Sequence, residues 1–229
     1  MKKIILVFSV ITFLLLFIFS SLLFFDELKL INNRITGAAE LDTAVIIINV
    51  SSAVCSSNFS QGYNLVSIPC VPKPAPVSEV LESVEENIVS IHHYVPSSAD
   101  PWKTYNPELP SWAVQDLTEI DRKKSYWLNL DSNVTFQLNS STASPNYIYT
   151  KQGWNMIGYP TLTPVEIGEA LVSINQSYDI LYSYNTLNNS WEEYTWNSSK
   201  SSEQNIINMT PYTGYWIKML RNETLLIDW

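Results

Sequence analysis

Two adjacent histidines and a few acidic residues are the side chains in this sequence whose types and spacing could do chemistry. His92 and His93 are the only histidines. Neighbouring residues on a strand point to opposite faces, so the pair could not easily bind one metal ion. We therefore expect one exposed and one packed histidine, and we predict no metal site and no cofactor.

Paired carboxylates are the second candidate chemistry, because glycoside hydrolysis needs two of them facing a sugar. Glu192 and Glu193 adjoin Trp191, while Glu79 and Glu169 occur on segments that read as short helices, where a solvated face explains them. The sequence contains no HExxH, GxSxG or GxxxxGK[ST] motif. We predict no catalytic residue. The alternative to a non-catalytic protein is a small envelope hydrolase that acts on glycans through paired carboxylates.

The two cysteines, Cys55 and Cys70, offer redox rather than catalytic chemistry. A bridge between them would close a loop of about 15 residues and could stabilise the fold by about 3 kcal/mol. We predict a disulfide, with two buried thiols as the alternative.

The amino terminus reads as a membrane segment. Lys2 and Lys3 precede an uncharged run of 22 residues, Ile4–Phe25. As a helix this run would be about 33 Å long, enough to cross a bilayer. It is longer than the apolar stretch of a secretory signal, so we predict an uncleaved signal-anchor rather than a removed signal peptide. The positive-inside bias puts the amino terminus in the cytoplasm and the remainder of the chain outside.

Composition narrows the class of partner. The 229 residues carry 13 Lys and Arg against 22 Asp and Glu, a net charge of −9. Only 15% are charged and 46% are hydrophobic, which excludes a disordered chain. The excess of acidic residues argues against nucleic acid as a binding partner.

Asn-X-Ser/Thr sequons are more frequent than chance placement predicts and support an exterior location. We predict glycosylation at some of them, although turns rich in Asn and Ser could also generate sequons by accident. The nine candidates are Asn49, Asn58, Asn133, Asn139, Asn175, Asn188, Asn197, Asn208 and Asn222.

The exterior part of the chain repeats itself. Seven segments recur in the same order at offsets of 89 to 91 residues, so we predict two copies of one module. Among them, Gly62–Pro69 recurs as Gly153–Pro160, Trp102–Tyr105 as Trp191–Tyr194, Tyr126–Leu128 as Tyr215–Ile217, and Asn133–Phe136 as Asn222–Leu225.

The elements that would position these residues are mainly β. Short apolar runs read as strands, and apolar spacing at Val77, Val80, Leu81 and Val84 predicts one short helix in each α+β module. Each module should be a small sheet of about five strands. The predicted organisation is a cytoplasmic tip and transmembrane signal-anchor (1–25), a juxtamembrane stalk (26–58) with a β-rich run at Ala44–Val50, module one (59–139), a linker (140–150) and module two (151–229).

The motifs of the repeat resemble those of a known group of proteins. The opening Gly153–Pro160, the middle Trp191–Tyr194 and the ending Gly214–Ile217 resemble modules of exported surface proteins of archaea and bacteria. The anchor followed by Ile35–Ala38 is similar to the amino terminus of small archaeal surface proteins. Module one departs from the pattern, with Tyr63 in place of the opening Trp and Ser125 in place of Gly. The resemblance implies a membrane-anchored surface protein and no particular activity.

The aromatic residues, eight Trp and thirteen Tyr among them, have two interpretations. The recurring pairs Trp102/Trp191, Tyr105/Tyr194 and Trp127/Trp216 are expected to fill the cores, with sugar-binding platforms as the alternative. The candidates for a ligand face are the unmatched tryptophans, Trp112, Trp196 and Trp229. The expected function is non-catalytic binding of a glycan or envelope protein, or a structural role at the envelope.

Overall fold

The chain is mainly β, with a few short helices and several small sheets. A computed structural model describes residues 53–110, 112–196 and 205–228, all of which fall within one unit, Ser51–Trp229. No helix within these ranges is long and apolar enough to span a bilayer. The predicted anchor at Ile4–Phe25 and the β-rich run at Ala44–Val50 lie outside the described residues.

The elements follow one another in two similar series. The first half contains β1 (Ala53–Phe59), β2 (Gly62–Ser67), β3 (Ala75–Pro76), α1 (Val77–Val80), a 3₁₀-helix (Glu82–Asn87), β4 (Ile88–Tyr94), β5 (Trp102–Tyr105), β6 (Glu119–Ile120), β7 (Ser125–Leu130) and β8 (Val134–Ser140). The second half contains β9 (Asn146–Thr150), β10 (Gly153–Ile157), β11 (Val165–Glu166), α2 (Ile167–Ala170), a 3₁₀-helix (Val172–Ile174), β12 (Tyr178–Asn185), β13 (Ser190–Tyr194), β14 (Asn208–Met209), β15 (Tyr215–Met219) and β16 (Glu223–Ile227).

Both halves have the same strand order. Each contains a four-stranded antiparallel sheet, β2-β7-β4-β5 in the first and β10-β15-β12-β13 in the second. Two short antiparallel ladders accompany each sheet, β1-β8 with β3-β6 and β9-β16 with β11-β14. Each strand of the second half is therefore equivalent to the strand of the first half whose number is lower by eight.

The first strand of the first half differs from the expectation, whereas β9 falls on the β-type run Tyr147–Thr150 that the sequence places before module two. The counterpart of β9 is β1, whereas the sequence favoured Ala44–Val50. Strand β1 lies at the end of the segment assigned to the stalk, and β9 lies in the segment assigned to the linker. Each instead pairs along its length with the last strand of its own half, a long-range contact that local patterns do not reveal.

The predicted helix is correct in its buried face but not in its type. Val77, Val80, Leu81 and Val84 are all buried in the core of the first half. The α-helix nevertheless ends at Val80, and the Val84 amide donates to the carbonyl of Leu81, the i to i+3 pattern of a 3₁₀-helix.

The Gly-aromatic-Asn sequence that opens each copy builds a turn. Gly62 and Gly153 have φ angles of 89° and 90°, a region that favours glycine. Asn64 is buried, and its amide both accepts from and donates to the backbone of the residue four positions earlier, at 3.1 and 2.7 Å. Asn155 repeats both bonds at 2.9 and 2.7 Å. The motif is therefore structural, and it fixes the direction of the aromatic residue between its glycine and asparagine.

Tyrosine rather than tryptophan fills the cores. Tyr126 and Tyr215 are fully buried at equivalent positions of β7 and β15. Their hydroxyls accept hydrogen bonds from the backbone amides of Asp121 and Thr210, at 2.7 and 2.8 Å. Burial raises the pKa of Tyr215 to about 12, so both the ring and its hydroxyl serve the fold.

The predicted disulfide is confirmed. Cys55 on β1 is bonded to Cys70, which follows β2, with their Cα atoms 6.3 Å apart. Both residues are buried. The bond ties β1, and with it the β1-β8 ladder, to the four-stranded sheet of the first half.

Candidate binding cleft

The recurring tryptophans lie outside the hydrophobic cores. Trp102 is 43% exposed and its counterpart Trp191 is 50% exposed. The expectation that the recurring aromatic residues fill the cores is therefore wrong for the tryptophans. It is correct for Tyr105 and Tyr194, which are partly buried and pack against the two cores.

Strand alternation explains why the other recurring pair also points outward. In β7, the half-buried Trp127 stands between the buried residues Tyr126 and Leu128, and β15 has the same pattern around Trp216. Successive side chains on a strand point to opposite faces. The Tyr-Trp-aliphatic motif therefore supplies two core residues and one ring on the opposite face of each sheet.

The outward rings of the two halves contact each other reciprocally. Trp216 of the second half lies against Trp102 of the first, with ring centroids 5.9 Å apart. Trp127 of the first half lies against Trp191 of the second at 5.7 Å. Trp216 also contacts Tyr94, the residue that pairs with Trp102 across the β4-β5 hairpin. In the same way, Trp127 contacts Tyr184, the residue that pairs with Trp191 across the β12-β13 hairpin. The two sheets thus exchange equivalent contacts, as a two-fold arrangement requires.

Six aromatic side chains line one cleft of about 690 Å³. Consecutive rings along its wall are in contact, with centroid separations of 5.9, 6.1, 6.0, 6.0 and 5.7 Å. This aromatic cleft lies within the usual size range of ligand pockets, about 300–1,000 Å³. The rings follow the order Trp102, Trp216, Trp154, Tyr182, Trp191 and Trp127.

Backbone hydrogen bonds between the halves hold the walls of the aromatic cleft together. The amide of Ser67 donates to the carbonyl of Tyr212 at 3.1 Å, and the amide of Gly158 donates to the carbonyl of Lys123 at 2.9 Å. The two bonds are equivalent under the repeat, because each joins the end of the opening strand in one half to the turn before the ending strand in the other. The cleft therefore rests on a backbone interface.

Glycine permits this close approach in the second half. A Cβ atom at Gly158 would meet the backbone carbonyl oxygens of Arg122 and Lys124, the latter at 2.5 Å. A Cβ atom at Gly214 would lie 2.7 Å from the Cβ of Ser125. The corresponding positions of the first half carry serine, so the interface is not fully symmetric.

The aromatic surface differs in chemistry between the two halves. In the second half, Trp154 stacks on Tyr182 with an interplanar angle of 29°. The equivalent positions of the first half hold Tyr63 and His92, which line an adjoining pocket of about 440 Å³. Trp102 and Trp127 line both pockets, so the aromatic surface continues from one to the other.

Charge beside Tyr182, in the middle of the wall, is mainly negative. Burial raises the pKa of Tyr182 above its ordinary value, the charges of Glu193 and Asp179 raise that pKa further, and the charge of Lys218 lowers it. Glu193 pairs directly with Tyr182 across the β12-β13 hairpin. The neighbouring ammonium of Lys218 lies 3.2 Å from a carboxylate oxygen of Asp179, and this ion pair offsets the charge of Asp179.

The histidines divide between the two faces of β4, as alternation predicts. His92 is half-buried on the aromatic side, and its ring nitrogens lie 2.9 Å from Oγ1 of Thr104 and 3.0 Å from Oγ of Ser90. His93 is buried, and its Nδ1 donates to the carbonyl of Ser125 at 2.9 Å. Burial is the main cause that lowers the pKa of His93 to about 4. In the part of the chain that the structure describes, no three His, Cys, Asp or Glu side chains are grouped to hold a metal ion.

The acidic candidates do not line the aromatic cleft. Glu79 and Glu169 are exposed on α1 and α2. Glu192 accepts hydrogen bonds from Ser183 and Asn185, at 3.3 and 3.0 Å. Of the two glutamates beside Trp191, Glu193 is the one whose charge raises the pKa of a cleft residue, Tyr182.

The unmatched tryptophans proposed as a ligand face lie elsewhere. Trp112 is 83% exposed in the connection between β5 and β6, and Trp196 is 37% exposed after β13. Neither lines the aromatic cleft, and Trp229 lies outside the described residues. The signal that could have identified the cleft was the period-two alternation in β7 and β15, combined with the recurrence of the same outward ring in both copies.

The sequon asparagines that the structure describes are all exposed. Asn133 and Asn222 occupy equivalent turns, where each side-chain oxygen accepts a backbone amide bond of 2.8 Å. Their Nδ2 atoms, the glycan attachment points, are not used in these bonds, so glycosylation stays a prediction compatible with the turns. The other exposed positions are Asn58, Asn139, Asn175, Asn188 and Asn208, while Asn49 and Asn197 lie outside the described residues.

Comparison with known proteins gives no family assignment: no protein-family model, no curated protein and no solved structure matches this chain significantly.

Proposed function

We propose that this chain is a membrane-anchored cell-surface protein with a non-catalytic role, and that the aromatic cleft between its two halves binds a ligand at the envelope. The observation that supports it most is the exposure of rings that could have been buried. Trp102 and Trp191 keep 43% and 50% of their surface accessible while lining the same cleft. Large apolar patches on a protein surface commonly mark interaction sites.

The duplication supports a binding role in a second way. The aromatic cleft takes rings from both halves, so it exists only when the two sheets are held together. A protein that only needed a spacer could bury these rings in two separate cores. The shared cleft instead gives the duplication a use that neither half could provide alone.

The location rests on the sequence. The uncharged run Ile4–Phe25 behind Lys2 and Lys3 supports a single-pass anchor with the modules outside. The Cys55–Cys70 disulfide is of a kind that persists in oxidising compartments. Exposed sequons would then carry glycans on the side of the protein that faces the surroundings.

An envelope hydrolase is the alternative proposal. It would need two carboxylates facing the substrate, at least one with a raised pKa. The six side chains that line the aromatic cleft carry none. Asp116 and Glu223 have shifted pKa values, but both pKa values are lowered, chiefly by the Thr104 amide and by Arg221 respectively.

A ligand screen on the full chain tests the binding proposal. The protein would be placed in nanodiscs of phosphatidylglycerol and tested by saturation-transfer NMR against envelope glycans, methylated ammonium compounds and neutral apolar compounds. The Trp102→Ala and Trp191→Ala variants should lose the binding that wild type shows. Trp112→Ala is the matched control, because Trp112 is exposed and lies outside the cleft, and it should bind as wild type. The proposal fails if no compound binds, or if every compound that binds does so equally well in the cleft variants.

A further inference from the structure

The geometry points to a quaternary ammonium group as the ligand chemistry of the aromatic cleft, held by cation–π contact with the rings of Trp102, Trp191 and their neighbours. This inference rests on the proposed binding function and specifies its ligand. It starts from how the rings are oriented. Adjacent rings of the wall meet at 62°, 82°, 73° and 85°, and only the Trp154–Tyr182 pair is close to parallel, at 29°.

This arrangement is a curved wall rather than a flat platform. A sugar ring stacks best on an aromatic face that lies open and level. Rings that turn steeply from one to the next around one cleft form a concave wall, in which faces of different rings border the same space. A compact, roughly spherical cation can contact several such faces at once, which is how aromatic cages recognise methylated ammonium groups.

The polar atoms of the wall also favour this ligand. The six lining side chains carry five indole N–H groups and one phenol hydroxyl. Indole nitrogen is a donor only, so this wall is rich in donors and poor in acceptors. A primary ammonium brings N–H donors, which would find few acceptors on these side chains, whereas sugar hydroxyls could accept from the indole N–H groups. A quaternary ammonium has no N–H group and needs no acceptor, so it loses no hydrogen bond when it enters.

The charge beside Tyr182 has, on balance, the sign that a cation requires. Glu193 lies opposite Tyr182 across the β12-β13 hairpin. The ammonium of Lys218, the basic residue on this sheet, is paired with Asp179 at 3.2 Å, and its charge partly opposes the two carboxylates by lowering the pKa of Tyr182. Lys103 of the first half is paired with Asp100 and Asp116, at 3.3 and 3.2 Å. The net charge of −9 would add a general attraction for cations.

The test compares choline with its neutral carbon isostere, in which a tert-butyl group replaces the trimethylammonium group. Both have nearly the same shape and apolar surface, so the difference between them isolates the charge. Binding to the full chain in phosphatidylglycerol nanodiscs would be followed by tryptophan fluorescence and by the shifts of the indole N–H resonances. Choline should bind about tenfold more tightly than the isostere. A trimethyllysine peptide presents the same group from a protein source, and tighter binding of that peptide than of its unmethylated form supports the inference equally.

Variants distinguish binding in the aromatic cleft from a general attraction of choline to an acidic chain. Trp191→Leu keeps an apolar side chain but removes the aromatic face, and it should weaken choline binding about tenfold while the isostere changes much less. Trp191→Phe should restore part of the affinity, and Trp112→Leu should behave as wild type. Equal binding of choline and isostere overturns the inference. So does a preference for choline that Trp191→Leu leaves unchanged. Binding of a glycan or a neutral compound in the cleft, without choline binding, overturns the ligand assignment and leaves the proposed function standing. Absence of binding by every probe contradicts both.

Discussion

The indole of Trp216 in β15 lies against the indole of Trp102 in β5, with ring centroids 5.9 Å apart and planes at 62°, although the two residues belong to different copies of the repeat. Trp127 and Trp191 make the reverse contact at 5.7 Å. Each sheet therefore supplies the central ring against which the outer hairpin of the other sheet packs. This relationship makes the two halves interdependent.

We expect the Trp102–Trp216 contact to couple the stability of the halves. In a double-mutant cycle with Trp102→Ala and Trp216→Ala, the coupling in the free energy of unfolding should be about 0.5–1.5 kcal/mol, the usual range for an aromatic pair. Denaturant unfolding of the four proteins measures it. The same cycle with Trp112 in place of Trp102 should give a coupling near zero. A zero value for both cycles would mean that the ring contact between the halves contributes nothing.

A methyl group at Gly158 should disturb the interface between the halves. Its Cβ would press on the carbonyl oxygens of Arg122 and Lys124, which are backbone atoms and cannot turn aside. Gly158→Ala should therefore lower the free energy of unfolding by about 1–3 kcal/mol. Gly168→Ala is the control, because the nearest atom there is a carboxylate oxygen of the Glu166 side chain, at 3.1 Å, and not a backbone atom. Equal stability of the two variants would contradict the close backbone approach.

His93 should make the fold sensitive to mild acid. Its pKa is lowered from 6.5 to about 4, mainly by burial; the hydrogen bond to the Ser125 carbonyl raises this pKa, Lys124 lowers it and Asp121 raises it. Between these values the unfolded chain binds a proton that the folded chain does not, so stability should fall as the pH drops from 6.5 toward 4. The full effect is on the order of 3 kcal/mol.

The matched variant is His93→Gln, which keeps a donor for the Ser125 carbonyl. Unfolding in urea at several pH values between 5 and 6.5 isolates the histidine from the carboxyl groups, whose ordinary pKa values are about 4. The slope of stability against pH in this window should largely disappear in His93→Gln. His92→Gln should retain most of it, since His92 is only half-buried. An unchanged slope in His93→Gln would refute the assignment.

The duplicated architecture can be predicted because the matching segments are visible in the sequence itself, at offsets of 89 to 91 residues. The positions of the strands that contain Tyr126 and Tyr215 follow from apolar alternation, and both tyrosines are core residues. The type of helix at Val77 and the role of Ala53–Phe59 do not follow, because tertiary packing and strand pairing decide them.

The aromatic cleft is harder to predict for a definite physical reason. Alternation places Trp127 and Trp216 on the face opposite the core, but it does not say whether that face meets solvent or the other half. The answer depends on long-range bonds such as that between Gly158 and Lys123, 35 residues apart along the chain. Large rings were therefore expected in a core, whereas Trp112 and Trp196, which lack a partner in the other copy, are the ones that lie away from the cleft.

The central claim, that a ligand occupies the aromatic cleft at the cell surface, can be tested without knowing the ligand. Hydroxyl-radical footprinting followed by mass spectrometry measures how fast individual tryptophans are oxidised. Trp102 and Trp191 should be oxidised several-fold more slowly on intact cells that make the protein than in the purified full chain, because the natural ligand covers them, while Trp112 should react at the same rate in both. Equal rates at Trp102 and Trp191 in the two samples, with Trp112 also unchanged, would contradict the claim.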